Sequence, residues 1–164
     1  MRQMDYEVRY RLERFRATYE AGGNVFDMAP LWVNCGFNDS TNLPTGSTTT
    51  RIVRPAKDFP YLWLGVSMQS TQAPPRLQPA ANELLKFTIL KSGQLLGDDK
   101  SQNGAFNNAV ALQNMTGYDG KAGLFAYPYL FEAHDELQVQ VYADDQNAIS
   151  DPIVLIGYKI LPRA

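Results

Sequence analysis

The chain reads as an all-β protein, an antiparallel two-sheet sandwich of jelly-roll-like type, preceded by a short N-terminal arm with a helical pattern. Three observations predict this. Residues 136–142 alternate, with Leu137, Val139 and Val141 on one side and Gln138, Gln140 and Tyr142 on the other. Such a period of two belongs to a strand with one face buried. Several short runs, such as 59–68 and 152–160, are rich in β-branched and aromatic residues. Most of the 12 glycines and 10 prolines fall between those runs, and short strands with turn punctuation favour a sandwich over an α/β fold.

Taken in order, residues 5–20 fit two templates. As a strand, Tyr6, Val8, Tyr10 and Leu12 alternate with Glu7, Arg9, Arg11 and Glu13, but the phase is lost at Glu13-Arg14. As a helix, Met4, Val8, Leu12, Phe15 and Tyr19 form one persistent apolar stripe. The helix is preferred, and Ala21-Gly22-Gly23-Asn24 supplies its stop. Residues 1–24 are therefore an expected arm, with the stripe Met4, Val8, Leu12, Phe15 and Tyr19 as its assembly interface. A helix this short is marginal alone, because helices below ~12–15 residues rarely hold in water, so the stripe needs a surface to lie on.

The sandwich is expected over residues 31–164. Leu31 to Phe37 reads as a short strand, residues 38–50 as a turn-rich loop, and Arg51-Ile52-Val53 as the start of the next strand. Residues 59–68, FPYLWLGVSM, are apolar on both alternations, as in a strand covered on both faces. Residues 69–79 hold Pro74, Pro75 and Pro79 and form a loop. Residues 84–90 are a strand that turns through Lys91-Ser92-Gly93-Gln94 into Leu95-Leu96. The Gly-, Asn- and Asp-rich stretch 97–123 is a long connection, with order expected only at 109–112. Residues 124–131 resume the sheet, and Pro128 marks an edge or bend. The expected core is led by Trp32, Phe59, Leu62, Trp63, Phe87, Ile89, Leu130, Val139, Val154 and Ile156, with Leu137 and Val141 on the same buried faces.

Composition bounds function. A chain of 164 residues suits one domain, large enough to bury a core without staples. With 45% hydrophobic and 20% charged residues it falls in the globular range. The net charge of -2 offers no basic field for nucleic acid. No run approaches the ~20 apolar residues of a membrane helix, and no secretory-length apolar stretch lies near Met1. With Cys35 as the one cysteine, an internal disulfide is ruled out, and folding in a reducing cytoplasm is expected.

No catalytic signature emerges. His134, in Glu132-Ala133-His134-Asp135-Glu136, has no second histidine to share a metal, and reads as part of a solvated turn. Cys35 could be a nucleophile only with a base beside it, and within LWVNCGF it reads as a packed thiol. Asp99-Lys100-Ser101-Gln102-Asn103-Gly104 resembles half a calcium loop, but Val110 stands where the closing carboxylate belongs. Tyr118-Asp119-Gly120-Lys121 with Tyr127 and Tyr129 could line a sugar site, which keeps a carbohydrate-binding or lectin-like module as the alternative function. Arg2, Arg9, Arg11, Arg14 and Arg16 are balanced by Glu7, Glu13 and Glu20, as on a solvated or partner-facing surface. Catalytic, cofactor and metal residues are thus expected to be absent.

The order of elements after Asp58 resembles accessory structural proteins of tailed bacteriophages. The residues that carry it are Asp58-Phe59 followed by Pro60-Tyr61-Leu62-Trp63-Leu64-Gly65-Val66, then the strand and glycine turn from Phe87 to Gly93. An aromatic-proline element follows the Gly-rich stretch, at Leu124-Phe125-Ala126-Tyr127-Pro128-Tyr129-Leu130-Phe131. An alternating strand then precedes Val154-Leu155-Ile156-Gly157-Tyr158-Lys159-Ile160. The likeness covers the last two-thirds of the chain and leaves the first 50 residues outside. It implies a non-enzymatic β-sandwich of the virion: a capsid decoration, head fibre or neck component. The implied partners are the major capsid protein or neck and portal proteins, together with copies of the same chain, and neither nucleic acid nor membrane. It implies no individual site residue.

Overall fold

The computed structural model describes residues 9–10, 12–17, 20, 26–37, 42–43, 46, 48–68, 83–91, 94–95, 110–111, 122–143, 148–149 and 152–163. Residues 9–10, 12–17 and 20 are helical (α1), so the 3.6-residue stripe prevails over the alternation. The strands are β1 Phe26–Asn34, β2 Asn42–Leu43, β3 Thr48–Val53, β4 Tyr61–Met68, β5 Glu83–Lys91 and β6 Gln94–Leu95. They continue as β7 Val110–Ala111, β8 Gly123–Phe131, β9 Glu136–Ala143, β10 Ala148–Ile149 and β11 Ile153–Pro162. β1 starts ahead of the expected Leu31, and β3 ends where its start was expected.

Two antiparallel sheets form a sandwich. One has the order β1-β11-β4-β8; the other has the order β3-β9-β5-β6, with β7 also pairing β5, and β2 and β10 make a small separate ribbon. Pairing is nested: β1 with β11, β3 with β9, β4 with β8, and β5 with β6. First meets last, second meets second-last, and so on inward. That winding is the double-sheet jelly-roll arrangement. The alternating strand β9 and the apolar strand β11, neighbours in sequence, lie in opposite sheets.

The core between the sheets is built on Trp63. Its ring meets Phe87 of the facing sheet edge-on at 5.0 Å and Phe125 at 4.6 Å, the geometry aromatic quadrupoles favour. Its indole N–H donates to the Gly65 carbonyl at 2.8 Å, so a buried donor is satisfied. Leu85, Phe87, Ile89, Leu137, Val139 and Val141 contribute from the five-stranded sheet, and Tyr61, Phe131, Ile153 and Leu155 from the four-stranded one. As expected, Leu137, Val139 and Val141 are fully buried, and every residue of β4 is buried.

Other core assignments need correction. Trp32 is 55% exposed and Phe59 43% exposed. Trp32 shares the outer face of edge strand β1 with Phe26 and Met28, whereas Leu31 and Val33 turn inward. Phe59 sits in the loop before β4 with the Lys159 ammonium 6.0 Å from its ring centre. Leu130 is half-buried on the outer side, against Phe26, Leu62, Leu64 and Ile160. In β11 the inward residues are Ile153 and Leu155. Val154, although buried, and Ile156, half-buried, alternate with them onto the outer face.

Two glycines let the four-stranded sheet close. A Cβ on Gly65 would collide with the Gly123 carbonyl oxygen, where the β4·β8 register shifts. A Cβ on Gly157 would meet Tyr61 Cζ and Oη at 2.7 Å. Without it, the Tyr61 ring lies across β11 and its hydroxyl donates to the Leu31 carbonyl at 3.1 Å, linking β4 to β1.

Candidate functional site

The reactive side chains come first. Cys35 is fully buried, and burial pushes its thiol well above its ordinary pKa. An uncharged thiol is a poor nucleophile and a poor metal ligand, so its role is packing. Its backbone N–H donates to the Ile153 carbonyl at 2.9 Å, extending the β1·β11 ladder. His134 is exposed in the turn between β8 and β9, with a φ of 73°. The left-handed geometry comes from the turn: the Glu132 N–H donates to Asp135 Oδ2 at 2.9 Å, and the Asp135 N–H donates back to the Glu132 carbonyl at 3.1 Å. No metal-holding cluster of His, Cys, Asp and Glu occurs among the described residues.

Tyr129 points inward rather than toward a ligand. Its ring packs on the core and meets Phe131 at 4.8 Å. Burial first, then the Asp135 and Glu132 charges, push its phenol up to about 12. For Tyr127 only the strand backbone is described, and Tyr118, Asp119, Gly120, Lys121 and Asp99 to Gly104 lie outside the described residues. The sugar-site reading built on these tyrosines therefore loses Tyr129.

The surface with unusual chemistry is the outer face of the four-stranded sheet. Register places Phe26, Met28, Pro30, Trp32 and Asn34 of β1 opposite Pro162, Ile160, Tyr158, Ile156 and Val154 of β11. At one end Phe26, Leu62, Leu64 and Ile160 form a buried cluster, with Met28, Leu124, Leu130 and Tyr158 around it. α1 lies on this end: Leu12 and Phe15 pack against the cluster, and the Phe15 ring meets Phe26 edge-on at 6.2 Å. The Arg16 guanidinium sits 5.8 Å from the Phe26 ring centre while pairing with Glu20 at 2.7 Å. Asp27 pairs with Arg163 beside them, and that hydrogen bond, with the cationic field, holds its carboxyl below the usual range. The apolar strip runs on from the covered end to the cross-strand pair Trp32–Ile156, where Trp32 is open.

The predicted stripe thus divides. Leu12 and Phe15 are placed on the chain's own sheet, which supplies the surface the stripe needs. Met4, Val8 and Tyr19 lie outside the described residues. On the sheet's side of this contact, Leu62 is buried as expected, whereas Phe26, Leu64 and Ile160 do not figure in the core expected from sequence. The signal for the contact was present in 59–68, where apolarity on both alternations implies a cover on each face.

β1 is an edge strand, and its outward side is interrupted. Because the Cys35 N–H points to β11, residues of the opposite parity, including Pro30, direct their backbone nitrogen to the edge that no other described strand pairs. A proline there breaks the row of donors that another strand would use.

No known family model matches the chain, and no curated protein matches it in sequence. Among the described residues, no helix is long and apolar enough to cross a membrane.

Proposed function

We propose that this protein is a non-enzymatic structural component of a tailed-bacteriophage virion, which binds the capsid or neck and self-associates. The carrying observation is the outer face of the four-stranded sheet, an apolar strip that α1 covers at one end and that ends at exposed Trp32. Apolar surface of this kind marks binding more often than catalysis. The order of elements from Asp58 to Ile160 supplies the phage resemblance, and jelly rolls recur among viral capsid and lectin domains, a fold-level analogy only. Mass spectrometry and antibody labelling of purified particles test the reading. The protein should be stoichiometric in particles, and Trp32→Glu should reduce its incorporation while leaving its melting temperature unchanged. Its absence from particles refutes the virion role.

A carbohydrate-binding module remains the second reading, moved to another surface. The outer face of the five-stranded sheet carries the rows Thr50–Gln140–Lys86 and Ile52–Gln138–Thr88, with Tyr142 beside them. Amides, hydroxyls and an aromatic face suit a sugar. Glycan-array binding that is lost in Gln140→Ala and Tyr142→Ala would favour it.

A further inference from the structure

We propose that α1 exchanges between copies, so that the helix of one chain lies on the outer sheet face of a second copy of the same chain. The inference rests on the self-association proposed above and names its route. The receiving surface is on the page: Phe26, Leu62, Leu64 and Ile160, ringed by Met28 and Tyr158, accept Leu12 and Phe15. Any copy presents the same surface, so an exchanged helix makes the contacts it makes at home. Exchange of an identical element is a low-cost route to a dimer for this reason. The described contacts that hold α1 gather on one face, through Leu12, Phe15 and the Arg16–Phe26 stack. No strand-like ladder ties it to the sheet, because a helix satisfies its backbone internally. The sequence places Gly22-Gly23 between the helix and β1, and a glycine pair accepts more than one chain path at little steric cost.

Concentration decides which copy is used. A short link gives the home helix an effective concentration in the millimolar range. Dilute chains therefore keep their own helix. Copies held side by side reach comparable local concentrations, and exchange becomes competitive without any new contact.

Two full-length variants isolate the exchange. In Leu12→Glu/Phe15→Glu the helix can no longer bind and the sheet face is vacant. In Met28→Glu the face is spoiled and the helix is intact; Met28 is half-buried on an edge strand, a tolerant place for a charge. Ile160→Glu is a second, harsher version of the same lesion. Each variant is first checked for strand content and cooperative melting. Analytical ultracentrifugation of each alone, and of the two mixed at ~0.5 mM, near the effective concentration of a short link, provides the readout. The expected result is a one-sided heterodimer in the mixture, at least ~10-fold tighter than either homodimer, because neither partner retains a home contact to compete. Folded variants that do not combine overturn the exchange. Leu12→Glu/Phe15→Glu chains that form homodimers as tightly as wild-type chains do discard the exchange and leave self-association standing. Wild-type chains that stay monomeric up to millimolar concentration discard both.

Discussion

Gly65 and Gly46 show how differently one residue type can be used. At Gly65 the obstacle is backbone, since the Gly123 carbonyl occupies the place of a Cβ. Gly65→Ala must move β8 away from β4, and overpacking of this kind costs ~1–3 kcal/mol or more. Gly46 has a φ of 70° and nothing within 4 Å, so Gly46→Ala costs only the left-handed strain of ~1–2 kcal/mol. Urea unfolding of both variants should rank them in that order. Buried acids set a second residue-scale prediction. Burial raises the pKa of Cys35, Tyr61 and Tyr129 above their ordinary values. The folded state therefore holds protons that the unfolded state releases, and stability falls as pH rises. For Tyr129 the loss runs from the ordinary 10.0 to about 12; for Cys35 it begins near 9.0. Stability measured against pH should be flat from about neutrality to ~8.5, where the unfolded thiol keeps its proton, and decline above it. In Cys35→Ser the first part of that decline should disappear. A thiol-specific reagent should leave Cys35 unmodified until the protein unfolds, and rapid native labelling would contradict its burial.

Among elements, β9 and β11 explain what was legible in the sequence. β9 has one wet face, so Leu137, Val139 and Val141 stand out against Gln138 and Gln140, and all three are buried as read. β11 is covered on both sides over most of its length. Its residues are apolar at nearly every position, so alternation carries no phase: Val154 is buried as expected but on the outer side, Ile156 is only half-buried, and Ile153 and Leu155 face the other sheet. The same ambiguity placed Trp32 inside, because an edge strand reads like a central one until its neighbours are known. Sheet order and the identity of the outer cover were not legible, since both depend on contacts far apart in sequence, although the two-faced apolarity of 59–68 called for a cover. The register is testable by substitution. Leu155→Ala should cost ~2–5 kcal/mol, as for a leucine lost from a packed core. Ile156→Ala, half-buried on the outer face, should cost clearly less. Val139→Asp, which places an unpaired carboxylate between the sheets, should abolish cooperative folding. Equal losses at 155 and 156 would place β11 in the other phase.

At the scale of the molecule, the four-stranded sheet separates two apolar clusters, and this predicts how the protein responds to losing its N-terminal segment. The inner cluster around Trp63, Phe87 and Phe131 lies between the sheets and includes none of the described residues of α1. The outer cluster of Phe26, Leu62, Leu64 and Ile160 is covered by Leu12 and Phe15. Burying such side chains fully is worth ~1.5–3 kcal/mol each, and these two are only half-buried. Deleting residues 1–20 should therefore cost ~2–4 kcal/mol, near the lower end of that range. Native domains have only ~5–15 kcal/mol in all, so the loss is substantial but leaves the sandwich folded. For a chain of this length it corresponds to a fall of roughly 5–15 °C in melting temperature. The truncated protein should keep one cooperative transition, because the nested pairing of β1 with β11 through β5 with β6 remains intact. It should also bind a hydrophobic dye, because Leu62, Leu64 and Ile160 lose their cover. Calorimetry and dye fluorescence on the same sample distinguish the outcomes. A melting temperature equal to that of the full chain would mean that α1 does not rest on the sheet. Loss of near-ultraviolet circular dichroism would mean that the helix is integral to the core. The intermediate result, a cooler and stickier sandwich, is the one that two clusters on opposite faces of one sheet require.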